Sequence, residues 1–306
     1  MRLVFAGTPG NAATTLEALV SAGFDVIGVI TRKDSKIGRK RVLTESPVAA
    51  VAAKCGIETI KVNSFSAEVH SWIERKAPDL GVIVAFGSIV KKQTLDIPMH
   101  GWVNLHYSLL PDFPGAAPVQ HAILAGETVT GVTVFRLDEG IDTGPILARR
   151  EFPIDQEMTA GELLLALTEV GSELIIDTLS SLEQHLSKQQ RQPVGQAINF
   201  AGKLSRSDAK IDFSRPAIEI HNLVRAMNPE PIAWFEYDNS TIRVLKAAAT
   251  DVSDLPMGNS MVQSEELLIG CGKGALTLLQ VQPAGKNAMR GADWFRGLRQ
   301  DSIRIS

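Results

Sequence analysis

The run Asp79–Ala85, DLGVIVA, constrains the fold more than any other stretch of the chain. It is short, continuously apolar and bounded by turn signals, which is how a strand buried on both faces reads. Strands of that kind belong to sheets covered by helices on both sides, with parallel neighbours. The N-terminus supplies a matching unit. Leu3–Ala6 read as a strand ending in GTPG, Asn11–Ala22 as a helix with Leu16, Leu19 and Val20 on one face, and DVIGVIT as the next strand. Gly23 stops that helix, as a residue that tolerates left-handed geometry does.

Further along, the pattern predicts helices over Pro47–Lys54 and around Ala67–Lys76, with the strand IETIKV between them. TGVTVFRL and PILARREFPI read as strands, and leucines at helical spacing run from Ala160 to Lys188. From Lys188 to Arg206 the composition changes to four basic residues and no acidic one, broken by Pro193 and Gly195. That segment reads as a linker. Beyond it come a helix over Pro216–Met227 and two hairpins, turning at Asp238–Ser240 and Gly272–Gly274. The expected fold is therefore α/β. A Rossmann-like open, mostly parallel sheet with helices on both faces fills residues 1–188, a linker covers 189–206, and an OB-like β-barrel domain fills 207–306.

Residues 101–118, GWVNLHYSLLPDFPGAAP, bring chemistry to the end of a strand. Trp102–Leu105 read as a short buried strand, and Asn104 and His106 stand two apart, so both side chains share a face. Pro111, Pro114, Gly115 and Pro118 then force a loop. Sites in open α/β sheets lie beyond the carboxyl ends of strands. Asp142 lies between two glycines in DEGIDTG, residues 138–144, and a carboxylate is the usual partner that orients an imidazole and favours its protonated form. An amide, an imidazole and a carboxylate without a nucleophile suit a site where the substrate itself attacks. The protein then stabilises an oxyanion and manages a proton. The bland alternative is a satisfied structural Asn–His pair. Ser108 raises a Ser/His/Asp hydrolase, but G-x-S-x-G is absent and HYSLLP is not strand-turn-helix. The opening βαβ unit also lacks G-x-G-x-x-G and an acid closing its second strand, which counts against a dinucleotide.

Charge narrows the partners. With 31 basic against 34 acidic residues, the chain does not coat nucleic acid by bulk charge. Residues 32–41, RKDSKIGRKR, nevertheless hold six basic residues and one acidic one, with no apolar period. They read as an exposed, mobile loop after a strand's carboxyl end, on the rim of the expected site. Residues 207–306 are balanced, although the stretch from Lys286 is basic. Cys55 and Cys271 are far apart and offer neither a disulfide framework nor metal-ligand spacing, so no metal is expected. No apolar run approaches the roughly 18 residues of a membrane span, and MRLVFAG enters a strand at once. A cytoplasmic protein without membrane contact is the expectation.

NLHYSLLP, the GAAP that follows and the later DEGIDTG resemble the motifs of the folate-dependent formyltransferases. KLSRSDAKIDF, VRAMNPEPIAW and LQVQPAGKNAM extend the resemblance over nearly the whole chain, toward members of that family that act on methionyl-tRNA. The resemblance implies transfer of a formyl group from 10-formyltetrahydrofolate to the α-amine of methionine on initiator tRNA. It assigns catalytic roles to Asn104, His106 and Asp142. It assigns folate contacts to Ser108, Leu109, Leu110, Pro111, Phe86 and Gly87, and tRNA contacts to Arg39, Lys40 and Arg41. Lys203 and Lys286 join the tRNA set as parts of a basic stripe, and a monomer suffices. Two departures stand out: Tyr107 where the family more often has glycine, and Asp112 and Pro114 where many members are basic. The rivals are a formyltransferase for a small amine, a formyltetrahydrofolate hydrolase, and a catalytically silent tRNA-binding protein.

Overall fold

The computed structural model describes residues 1–38, 40–193 and 199–305. In chain order, β1 (Arg2–Gly7), α1 (Gly10–Ser21), β2 (Asp25–Thr31), β3 (Ser35–Ile37), β4 (Val42–Thr44) and α2 (Pro47–Lys54) come first. β5 (Thr59–Lys61), α3 (Ala67–Lys76), β6 (Leu80–Val84), α4 (Lys92–Leu95) and β7 (Trp102–His106) follow. After them stand α5 (Pro118–Leu124), β8 (Val129–Arg136), β9 (Ile146–Pro153), α6 (Ala160–Ser180) and α7 (Leu182–Ser187). None of the described helices is long and apolar enough to cross a membrane.

Two compact units divide the chain. The first takes Met1–Pro118, Val129–Pro153 and Leu164–Ala201. Its seven-stranded sheet has the order β5-β2-β1-β6-β7-β8-β9. The pairs from β5 to β7 are parallel, and β7–β8 and β8–β9 are antiparallel. The chain moves outward from β1 through β2 to β5, then returns to β6 and continues the other way. The strand order therefore reverses between β1 and β6, where ligands of open α/β sheets bind. All five residues of β6 are buried, as its unbroken apolar run requires.

Packing explains one glycine in that strand. Gly81 pairs with Trp102 across β6 and β7, and a Cβ at Gly81 would lie 2.1 Å from the fully buried indole. Phe65 and Phe86 close over the same core, Phe65 meeting Trp102 edge-on at 5.8 Å. Gly81→Ala is expected to cost about 1–3 kcal/mol of unfolding free energy through overpacking. Urea denaturation measures it, and an unchanged midpoint would contradict this packing.

The second unit takes Val119–Thr128, Ile154–Leu163 and Gly202–Ser306. It contains α8 (Ala217–Ala226), β10 (Trp234–Tyr237), β11 (Ser240–Thr250), β12 (Ser260–Gln263), β13 (Glu266–Gly270), β14 (Ala275–Pro283), β15 (Met289–Arg290) and α9 (Gly291–Leu298). The strands form the antiparallel sheet β10-β11-β14-β13-β12, with β15 on β14. Both expected hairpins are present. Asp238 and Asn239 turn the first with φ of 47° and 56°, as two-residue hairpin turns demand. Phe213, Phe235 and Trp294 meet edge-to-face in its core.

This division differs from the expected boundaries, because two pieces from before residue 188 pack with the C-terminal unit. Arg225 of α8 shows why. Its buried guanidinium donates to the carbonyls of Asp155 and Met158 and to the side chain of Asn222. The expected linker is also tied down where it is described, since Gln190 bridges Ile146 and Ala201 bridges Gly115. Gly195 lies outside the described residues.

The basic run needs a correction too. It is not an irregular loop: Ser35–Ile37 and Val42–Thr44 pair as a hairpin, too short for any period to reveal. Lys61 braces the base through Asp34 at 2.7 Å and Glu45 at 3.4 Å.

Candidate active site

β7 delivers Asn104 and His106 to one cavity of about 530 Å3 in the first unit, and the loop after β8 delivers Asp142 to the same cavity. The spacing of two within one strand accounts for the first pair. His106 is buried and Asp142 nearly so. The imidazole Nε2 donates to the Phe113 carbonyl at 3.0 Å. Nδ1 therefore faces Asp142 Oδ2 at 3.7 Å, too long for a hydrogen bond. The ring is thus oriented by a backbone carbonyl of the proline-rich loop, and Asp142 acts on it through charge alone. Asp142 Oδ2 accepts from the Gly115 N–H at 2.8 Å, which makes GAAP part of the site. Asn104 is half-buried, and its amide oxygen has no hydrogen-bond partner among the described residues. Buried polar atoms without partners are rare, and this oxygen is free to accept a hydrogen bond from a group entering the cavity.

The segment after β6 lines the same cavity through Phe86, Gly87, Ser88, Ile89 and Val90, as do Asp138, Gly140 and Ile141. Gly87 has φ of +73°, a conformation glycine adopts without strain. Arg32 fixes this segment by donating to the carbonyls of Phe86 at 3.2 Å and Gly87 at 2.6 Å. One of the six cations in the basic run is therefore a support for the pocket. Ile89, Ile141 and Phe200 leave apolar surface at the mouth.

Of the residues expected to touch folate, Phe86 and Gly87 line this cavity. Ser108, Leu109, Leu110 and Pro111 do not. The Ser108 hydroxyl is fully buried and donates to the Asp112 carbonyl at 2.5 Å. Leu110 packs against Phe135 and Ile146, and Leu109 lines a separate hollow beside Arg149. Ser108 and Leu110 brace the loop that carries the Phe113 carbonyl. Tyr107 lines the cavity with its ring. Its buried hydroxyl faces Thr168, Asn11 and Thr15 without closing a well-formed hydrogen bond, and burial pushes the phenol above its usual range.

Lys40 and Arg41 are exposed on the β3–β4 hairpin, and Lys203 and Lys286 are exposed on the second unit. Arg39 lies outside the described residues. No group of three or more His, Cys, Asp or Glu among the described residues is placed to hold a metal ion. Several contributors carried no sequence signal of their own. Arg32 was hidden within a charge run, and Phe200 within a segment of linker composition. Gln192 belongs with them, since it reaches the Asp142 loop from the same segment.

Residues 1–179 match the formyl transferase family and residues 203–299 its C-terminal domain. A methionyl-tRNA formyltransferase from Paenarthrobacter aurescens is 46% identical over 299 residues, 97% of each chain. One from Arthrobacter sp. is 44% identical over 298 residues, again 97% of each. Among solved structures, an N-formyltransferase from Helicobacter canadensis, in complex with folinic acid and dTDP-3-aminofucose, aligns with a TM-score of 0.67 at 22% identity. That alignment covers 90% of this chain and 98% of the other, a likeness of fold. Matched in both parts and by relatives along almost all of its length, the chain belongs to the formyl transferase family.

Proposed function

We propose that this chain transfers the formyl group of 10-formyltetrahydrofolate to the α-amine of methionine on initiator methionyl-tRNA. The observation that carries the reading is the convergence of Asn104, His106 and Asp142 on one cavity. The substrate pair follows from relatives of that name aligned over 97% of their length and of this chain. A small-amine formyltransferase, a hydrolase and a silent binder are less economical, because the C-terminal domain is present and all three polar groups are in place.

The cavity suits a flat heterocycle carrying a formyl group. Its volume lies within the roughly 300–1,000 Å3 of small-molecule sites, and its lining includes Phe86–Val90, Asp138, Gly140–Asp142 and Asn104. The folate, when bound, supplies an activated one-carbon unit. Asn104 donates to the formyl oxygen as negative charge collects there, and protonated His106 offers Nδ1–H as a second, charge-assisted donor. Asp142 stabilises that imidazolium through space and takes up the proton released by the incoming amine, directly or through water. As the tetrahedral intermediate collapses, the carbon–N10 bond breaks and that proton passes to N10, so tetrahydrofolate leaves. Ser108 and Leu110 support the donor site by holding the loop that orients His106.

Lys40 and Arg41, with Arg39 beside them, neutralise phosphates near the acceptor end, and Lys203 and Lys286 do so from the second unit. Replacing Lys40 and Arg41 together by alanine is expected to make the log Kd against log salt plot shallower by about 2. An unchanged slope would remove the hairpin from the tRNA contact. We propose a monomer as the working unit and the cytoplasm as the compartment for these substrates.

The reading is tested by mixing the protein with 10-formyltetrahydrofolate and methionyl initiator tRNA, then following formylmethionyl product and folate release. Product formation is expected. Folate release without tRNA would indicate the hydrolase, retention of tRNA without turnover the silent binder, and formylation of free amines instead a small-amine enzyme.

A further inference from the structure

We infer that Gln192 is a positioning residue for the Asp142 carboxylate, an inference that rests on the role proposed for Asp142 above. The Gln192 side-chain nitrogen donates to the carbonyl oxygens of Asp142 at 2.8 Å and Gly144 at 2.7 Å. Both partners can only accept, so they fix which end of the amide faces the loop. Asp142 has φ of +54°, a left-handed turn that Asp adopts more readily than most side chains, and the two Gln192 hydrogen bonds hold the loop in it.

That support comes from both described ends of one segment. Upstream of Gln192, Gln190 exchanges backbone hydrogen bonds with Ile146 at 2.8 and 2.9 Å, which holds the segment along the start of β9. Downstream, Ala201 donates to the Pro114 carbonyl at 2.7 Å and accepts from Ala116 at 2.8 Å. Between those two contacts the Gly115 N–H meets Asp142 Oδ2. One stretch of chain thus grips the carboxylate twice, through its own backbone and through the loop that hydrogen-bonds its oxygen. Of the contacts that the described residues of this segment make with the loop, the Gln192 amide is the one made by the segment's own side chain, so substitution can remove it.

The test is steady-state formylation by the full-length wild type, Gln192→Ala, Asp142→Asn and the double variant. Gln192→Glu is added because it keeps the shape and loses the donors. Gln192→Ala and Gln192→Glu are each expected to lower kcat about tenfold or more, as misplacement of a reacting group does, with both KM values within about twofold. In the Asp142→Asn background the Gln192→Ala loss should shrink to less than about twofold, because a residue acting through a carboxylate has nothing to act on once it is gone. Near-normal kcat for both Gln192 variants beside a crippled Asp142→Asn would overturn this inference and leave the reaction standing. The same tenfold loss in both backgrounds would also overturn it, by showing a general structural role. Near-normal kcat for Asp142→Asn would overturn the role of Asp142 and the inference together.

Discussion

Asn104→Ala is expected to lower kcat for formyl transfer roughly a hundred- to a thousandfold, the usual cost of losing one oxyanion donor, without weakening the fold. Activity and stability separate here for a physical reason. The Asn104 amide oxygen is buried and has no partner among the described residues, so truncation removes a desolvated polar atom and breaks no hydrogen bond from those residues to that oxygen. KM should change little, because the interaction strengthens only as charge moves onto the formyl oxygen. Equal losses in kcat and kcat/KM, with an unchanged urea midpoint, are the expected signature. A variant that was both poorly active and strongly destabilised would mean that the amide is structural.

His106→Ala is expected to lose at least as much turnover, and here stability falls as well. The imidazole Nε2 is the closer donor to the Phe113 carbonyl at 3.0 Å, and its removal leaves that buried acceptor only the distant Ser108 hydroxyl at 3.5 Å, costing about 1–3 kcal/mol. The same substitution leaves Asp142 without the ring beside it. Turnover within about tenfold of wild type would remove His106 from the chemistry. The contrast between the two alanine variants, one losing activity alone and the other losing both, is sharper than either result by itself.

Much of the first unit was legible because its signals are local. The unbroken apolar run Leu80–Val84 marked a strand buried on both faces, and the pairing of β6 with β1 and β7 bears that out. Asn104 and His106 were legible as a pair because strand geometry puts alternate residues on one side. Asp142 joined them through its motif. What orients the imidazole was not legible. The Phe113 carbonyl is a backbone group, and no pattern of side chains announces it. Arg32 and Gln192 were missed for a related reason, since each acts on a carbonyl more than 45 positions away in sequence. The discontinuity of the two units was equally hidden. Arg225 reaches Asp155 and Met158 across about 70 positions, and the hydrophobic period of the intervening helix gives no sign of it. Within the run Ser108–Pro111, where the motif implied folate contacts, Ser108 and Leu110 turn inward to support the loop, which the motif alone did not announce.

The claim on which the account depends is that three polar groups address one carbonyl. A crystal structure of this protein with a stable 10-formylated folate analogue tests it most directly. The formyl oxygen is expected within about 3.2 Å of both the Asn104 side-chain nitrogen and His106 Nδ1, with the Asp142 carboxylate on the open side from which an amine would approach. A formyl group lodged away from Asn104 and His106, or an analogue bound outside the cavity walled by Phe86–Val90, would contradict it.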